Sequence, residues 1–332
     1  MRILQAVRRG ITECKACEIK TERTYSMDYI LKTFGLIKKY KKHLAVNEAD
    51  MTICRGDIYG FVGENGSGKT TIIRLITGLI FPDSGRFELF GVPHDSDGIK
   101  AARRKVGAVV ESPSIYKNMS AYDNLKMQCM ILGIPADDKI SETLNEVGLG
   151  YLLNDKKQAG DFSLGMRQRL GIAMALLGEP EFLILDEPMN GLDPAGIVEI
   201  RELILKLNRE RNITFLISSH ILSELSLVAT KYGIISRGHI IKEITAAQLQ
   251  LELAKTTDIK VDCPEKLNKL FDGTLPGITI SYIPGGIRLV GEIDLNAVLS
   301  AVIEAGIRIT GVNCHELSFE DYYLKTIGGA RS

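Results

Sequence analysis

The chain has 332 residues, of which 45% are hydrophobic and 25% charged. This is ordinary globular usage, and at roughly 150 residues per domain it suggests two domains. Lys+Arg and Asp+Glu are 41 each, so the net charge is zero, which argues against a general binder of DNA or RNA. The longest apolar run, Leu170 to Gly178, is nine residues. A membrane span needs about 20, so these residues do not predict one.

Residues 1–26 form a polar, basic stretch with Arg2, Arg8, Arg9, Lys15, Lys20 and Arg23 against Glu13, Glu18 and Glu22. It lacks the apolar core of a secretory signal. Met27 opens a more regular pattern and is read as the biological start, with 1–28 as a flexible extension. The competing reading is a short basic arm touching lipid head groups. Cys14 and Cys17 form a C-x-x-C without a second pair, and the six cysteines are read as reduced thiols.

Next comes an apolar strand, Asp57 to Val62, followed by Gly63-Glu64-Asn65-Gly66-Ser67-Gly68-Lys69-Thr70 and a helix opening on Thr71-Ile72-Ile73. The octet fits G-x-x-x-x-G-K-[ST] between a strand and a helix. Glycines let the backbone turn tightly so that successive N–H groups face a phosphate, and the helix start adds a positive dipole end. Lys69 supplies a point charge to the β and γ phosphates, and Thr70 a hydroxyl to Mg²⁺. The string Asn268 to Asp272 is one residue too long for a guanine-recognising N-K-x-D and reads as a solvated helix end.

Residues 120–132, 139–147 and 164–177 are predicted helical. Ser163 is a good helix N-cap, and the Ser-x-Gly turn through Gly165 makes a second anion-binding helix start. Phe182-Leu183-Ile184-Leu185 is a buried parallel strand ending in Asp186 and Glu187. Ligands gather at such strand ends. Asp186 would hold Mg²⁺ and Glu187 would polarise the attacking water. His220 follows the strand Ile213 to Ser218, whereas His43, His94, His239 and His315 read as surface or loop residues.

These motifs, in this order, resemble the ATP-binding subunit of an ABC transporter over about residues 29–245. Gly63 to Thr71 is similar to Walker A, with Thr71 its last residue. Ser163 to Gln168 is similar to the signature, departing from the commoner Leu-Ser-Gly-Gly-Gln. Leu183 to Glu187 is similar to Walker B, and Asn190-Gly191-Leu192-Asp193 to the D-loop. His220 matches the switch histidine, which implies a hydrogen bond to the γ-phosphate and the attacking water. Tyr40, 23 residues before Gly63, stands where the family stacks a ring on adenine. Glu111 replaces the family's usual Gln, and with Ser112-Pro113 it resembles the bacitracin-resistance and lantibiotic-immunity branch. Glu111 is then a further ligand for the metal or its water.

The resemblance implies an ATP- and Mg²⁺-dependent ATPase that powers a separate membrane permease from the cytoplasmic face of the membrane. It implies a head-to-tail pair, with an identical or a different ATPase subunit, in which Ser163 and Gly165 close on the partner's nucleotide. The cargo implied is a peptide antibiotic or similar compound. Pro113 to Met119 is the expected permease contact. Two alternatives stay open: a soluble ATPase of this type acting on ribosomes or DNA, and a nucleotide-binding regulator without turnover.

The expected fold is α/β: a P-loop ATPase domain over 29–245 with a mostly parallel sheet and a helical subdomain near 112–175, then an accessory α+β domain over 246–332. In that last part the order β-α-β-β-α-β predicts a ferredoxin-like arrangement. Pro284-Gly285-Gly286 is its hairpin turn, and Ser318 to Asp321 a capping-box variant.

Overall fold

The computed structural model describes residues 29–270, 278–291, 293–315 and 317–329. The Cys14–Cys17 pair, the basic arm and the Met27 start lie outside them, as do Phe271 and Asp272. The chain divides into two units. One comprises the described parts of Ser26–Gln248 and Tyr323–Ser332; the other is Leu249–Tyr322 within its described parts.

The first unit opens with β1 (Tyr29–Tyr40), β2 (His43–Ala49), β3 (Thr52–Cys54) and β4 (Ile58–Val62), then α1 (Lys69–Thr77), β5 (Ser84–Leu89), β6 (Val92–Pro93), α2 (Ile99–Arg103) and β7 (Val106–Val109). The helices α3 (Ala121–Leu132), α4 (Asp137–Glu146) and α5 (Leu164–Leu176) follow. Then come β8 (Phe182–Asp186), α6 (Pro194–Arg211), β9 (Thr214–Ser219), α7 (Leu222–Leu225), β10 (Lys231–Ser236) and β11 (His239–Thr245); α8 (Ala246–Leu253) begins in this unit and ends in the other.

Two sheets form here. The six-stranded one runs β11-β10-β4-β9-β8-β7. Its strands from β10 to β7 are parallel, and β11 turns back antiparallel on the edge. The sequence suggested one largely parallel sheet. The structure adds a second, antiparallel one, ordered β2-β1-β5-β6 with β3 also on β1. Its hairpin is tight: Tyr40 pairs with His43 across two residues, and Lys41 takes a positive φ of 54°. Local turns of this kind carry no apolar period and escape pattern reading.

Every residue of β4, β8 and β9 is buried. That is the signature of central parallel strands covered on both faces. The helix α1 buries Ile72, Ile73, Leu75 and Ile76 in a core that includes Ile30, Leu31 and Phe87 of the antiparallel sheet and Phe61, Phe182 and Leu216 of the parallel one. The segment after the glycine-rich loop is therefore clamped between two sheets. Behind it, the buried Tyr59 donates to Glu243 at 2.8 Å, and Lys231 lies 3.1 Å from the same carboxylate. Burial, with the adjacent Glu243 charge, holds the Tyr59 phenol well above its ordinary pKa.

In the helical part, Ser120 caps α3 by accepting from the Asp123 amide at 3.1 Å. The fully buried Asn124 organises the preceding loop. It accepts from the Tyr116 amide at 2.8 Å and donates to the carbonyls of Tyr116 at 3.0 Å and Ser120 at 2.9 Å. One side chain thereby stiffens a loop that leaves the Tyr116 side chain exposed.

The second unit contains β12 (Thr256–Val261), α9 (Pro264–Leu270), β13 (Thr279–Ile283), β14 (Gly286–Val290), α10 (Leu295–Glu304) and β15 (Ile309–His315); α11 (Phe319–Gly329) ends the described chain. Its antiparallel sheet runs β13-β14-β12-β15, the order of a ferredoxin-like β-α-β-β-α-β arrangement. Ile259, Leu267, Ile287, Leu289, Val298 and Val302 form its core. Ser318 and Asp321 bond reciprocally at the start of α11.

Replacing Asn124 by Ala removes hydrogen bonds to two part-buried carbonyls and an amide, each worth on the order of 0.5–1.5 kcal/mol net. Urea unfolding of Asn124→Ala is expected to show a loss of about 2 kcal/mol. Cleavage by a protease near Tyr116 should rise with it.

Candidate functional site

The parallel sheet brings the C-terminal ends of β4, β9 and β8 side by side. The glycine-rich loop leaves β4, and two further acids and a histidine leave β8 and β9. All four protein groups expected to carry the chemistry therefore emerge at one edge.

The loop is shaped by close approach and by left-handed backbone. Gly68 has φ 112°, and a Cβ there would lie 2.5 Å from the Ala45 carbonyl oxygen. A Cβ on Gly63 would lie 2.5 Å from Ser67 Oγ and 2.6 Å from the Ile235 carbonyl oxygen. Neither position admits a side chain. Lys69, 5% exposed, folds back over the loop. Its Nζ donates to the Gly63 carbonyl at 2.6 Å and the Glu64 carbonyl at 3.2 Å, and lies 3.5 Å from Glu187 Oε1. Glu64, Asn65 and Gly66 are exposed, whereas Ser67 Oγ is buried without a protein hydrogen-bond partner.

Asp186 is 2% exposed and carries two hydroxyls. Thr70 Oγ1 donates to its Oδ2 at 2.9 Å, and Ser218 Oγ donates to its Oδ1 at 2.5 Å. Ser218 also accepts from the Glu187 amide at 2.9 Å. Glu187 takes a positive φ of 51° and pairs its Oε2 with His220 Nδ1 at 2.7 Å. A left-handed glutamate costs energy relative to the extended alternative and persists only where its surroundings hold it. Here the β9 end and His220 do so, and the carboxylate faces Lys69 instead of continuing along β8.

The structure thus gathers Lys69, Thr70, Asp186, Glu187 and His220. It adds Ser218, whose signal in the sequence was only its place among the serines before His220. Thr71 follows on α1, half-buried. Other named residues stand elsewhere. Tyr40, 41% exposed, ends β1 with Lys38 Nζ 5.8 Å from its ring centre. Glu111 has φ 61° and pairs with Arg74, one turn along α1 from Thr70. Ser163 caps α5, accepting from the Met166 amide at 3.2 Å. Asp193 caps α6, accepting from the Gly196 amide at 3.1 Å.

The α5 start is nonetheless tied to the acids. The buried Gln168 donates to the Pro188 carbonyl at 3.2 Å, just after Glu187. A Cβ on Gly165 would sit 3.8 Å from the Leu192 side chain, so this turn lies against the segment that leads to Asp193. His94 is half-buried and stacks on Phe87 with ring centres 4.8 Å apart, so it packs, where the sequence suggested a surface role.

The donor set fits a nucleotide phosphate with a hard cation. Thr70 and Asp186 offer oxygens of the kind Mg²⁺ prefers, and Ser67 Oγ is a buried polar atom ready to partner a ligand. Among the described residues, no group of three or more His, Cys, Asp and Glu is placed to hold a metal by protein ligands alone.

Residues 46–190 match the ABC transporter family. The bacitracin transport ATP-binding protein BcrA of Bacillus licheniformis is 42% identical over 305 residues, covering 91% of this chain and 99% of that protein. The chain belongs to the ABC transporter ATP-binding proteins. The lantibiotic transport ATP-binding protein SrtF of Streptococcus pyogenes is 45% identical over 214 residues, covering 64% of this chain and 90% of SrtF. Among solved structures, cbiO1 of Clostridium perfringens, part of the ABC transporter complex cbiONQ, superposes with a TM-score of 0.61 at 30% identity. That match covers 67% of this chain and 90% of cbiO1. The chain is an ATP-binding subunit of an ABC transporter and an ATPase. These relatives are transport proteins by name, and the ribosome- or DNA-acting alternative gains no support from them.

Ser218 joins the oxygen that would face the metal to the amide that fixes Glu187. Ser218→Ala is expected to lower ATP turnover by roughly 10- to 100-fold, the range for residues that orient metal ligands. Phosphate release at saturating Mg²⁺-ATP measures it, and Ser218→Thr should recover part of the loss.

Proposed function

We propose that this ATPase powers export of a peptide antibiotic or similar compound through a separate membrane permease, and so protects the cell that carries it. The observation that carries this reading is the likeness to BcrA over 91% of the chain, which takes in the residues after the ATPase motifs. Glu111 in place of the family's usual Gln points to the same branch. The protein then works on the cytoplasmic face of the membrane without entering it. Among the described residues, no helix is long and apolar enough to cross one.

In this reading ATP is held on Lys69 and the loop from Gly63 to Thr71, with the Tyr40 ring against adenine. Thr70 and Asp186 would hold Mg²⁺, and Glu111, released from Arg74, would offer an oxygen to the metal or its water. When bound, the cation would supply charge neutralisation to the β and γ phosphates. Glu187 accepts a proton from the attacking water, and His220 fixes the Glu187 carboxylate and bonds the γ-phosphate. Two ATPase subunits, identical or not, close head to tail. The exposed Ser163 and the adjacent Gly165 of each then add donors to the other's nucleotide, with Asp193 alongside. Hydrolysis separates the charge held between them, and the pair opens.

A groove of about 800 Å³ runs from Val109 and Pro113 to Ile131 and Leu132 on α3, with Arg103 and Arg104 along it. We assign it, together with the exposed Tyr116, to a cytoplasmic helix of the permease. Apolar walls suit an amphipathic helix, and the arginines suit an acidic end. Glu111 precedes the wall residues Ser112 and Pro113 directly, so the groove and the ion pair with Arg74 share one loop.

Two experiments check this. Glu187→Gln is expected to cut turnover by on the order of 10²- to 10⁴-fold while retaining ATP, and to elute as a stable pair when ATP is present. Elution as a monomer with ATP bound removes the head-to-tail assignment. Tyr116→Asp is expected to lower recovery of the co-expressed permease at least tenfold and leave phosphate release by the isolated subunit within twofold. Unchanged recovery removes the docking assignment.

A further inference from the structure

The phosphate loop has a partner that none of its motifs announces. The Glu64 amide donates to the hydroxyl of Tyr323 at 3.1 Å, across 259 residues of sequence. Tyr323 belongs to the same unit as the loop, although it lies on the last helix. It is 8% exposed, and Ile327, one turn further along α11, is 4% exposed. The two share a face of the helix. That helix opens on the reciprocal bonds of Ser318 and Asp321.

The other side of the same residue is held too. The Glu64 carbonyl accepts from Lys69 Nζ at 3.2 Å and from the Ser67 amide at 3.1 Å. Glu64 is thus gripped at its N–H by Tyr323 and at its C=O by the loop's own lysine and serine. Its neighbours Asn65 and Gly66 are exposed, so few packing contacts restrain this turn. A loop that must aim successive amides at a phosphate loses affinity in proportion to the freedom it gives up on binding. A fixed first turn reduces that loss.

We propose that Tyr323 is a positioning residue for the nucleotide site: its hydroxyl braces the first turn of the phosphate loop and raises affinity for the nucleotide without touching the reacting atoms. The inference rests on the loop's being the ATP site. It gives the end of the chain a share in nucleotide affinity that the ATPase motifs alone do not account for.

The test is Tyr323→Phe in the full-length protein, which keeps the ring and deletes the hydroxyl. Titration with a fluorescent ADP analogue is expected to show a Kd raised about three- to tenfold, the range for one neutral hydrogen bond. The KM for ATP should rise in step, and kcat at saturating Mg²⁺-ATP should stay within twofold of the parent. An unchanged or lower Kd overturns the proposal. So does a fall in kcat with KM unchanged, or a lower melting temperature with Kd unchanged, since either marks a residue that only packs. Tyr323→Leu guards against compensation by the retained ring and should raise Kd at least as much as Tyr323→Phe. If the parent protein itself binds no nucleotide, the assignment of the loop fails; if the parent binds and Tyr323→Phe binds equally well, only the brace fails.

Discussion

One buried carboxylate organises the candidate site. Asp186 accepts from Thr70 on one oxygen and from Ser218 on the other. The first hydroxyl comes from the helix after the phosphate loop, and the second from the strand beside its own. A charge this deeply buried is costly unless it is hydrogen-bonded, and these two bonds supply that. The same bonds link three segments far apart in the sequence. Through Ser218 the linkage reaches the Glu187 amide, and through the Glu187 side chain it reaches both His220 and Lys69. The loop, the two acids and the histidine are thus held as one connected polar set, each member oriented by another.

The fold exists in this form because of where that set must stand. Parallel strands deliver all their C-terminal ends to one edge, so β4, β8 and β9 can each contribute a group without a long excursion. The antiparallel sheet against the other side of α1 makes the arrangement stiff. With Ile72, Ile73, Leu75 and Ile76 buried, α1 has little freedom to tilt, and Lys69 and Thr70 sit on its first turn. Arg74 lies on the same helix and pairs with Glu111. A change at the phosphate end of α1 therefore has a direct route to the loop that begins the groove, through one helix and one ion pair.

Much of this was legible in the sequence, for reasons that can be named. The phosphate loop announces itself because its glycines are required by geometry, and β8 because central parallel strands must be apolar throughout. Ser120 and Ser163 mark helix starts because an N-cap needs a short polar side chain. Other features had no such signal. In β9 both faces are buried, so no alternation marks Ser218 as facing Asp186. Nothing in a glutamate's side chain announces a left-handed backbone, yet Glu111 and Glu187 both adopt one. Asn124 looks like an ordinary helical residue until the carbonyls it satisfies are seen. The antiparallel sheet carries no sequence signal because its hairpin depends on a lysine with positive φ, where turn rules look for glycine or asparagine. In each case the determining interaction is long-range, or depends on a backbone angle that composition does not encode.

Ser163 spends its side-chain oxygen on the Met166 amide, so what it can still offer outward is its hydroxyl proton and the dipole of α5. Those are donors suited to an anion. The same turn packs near Leu192, and Gln168 grips the Pro188 carbonyl immediately after Glu187. A phosphate engaged at this helix start would pull on the segment that holds Glu187, the acid proposed to activate water in its own chain. In a head-to-tail pair, that phosphate belongs to the partner's nucleotide. Each subunit's Glu187 would then respond to ATP bound at both loops, and hydrolysis at either loop would be conditional on closure of the whole pair.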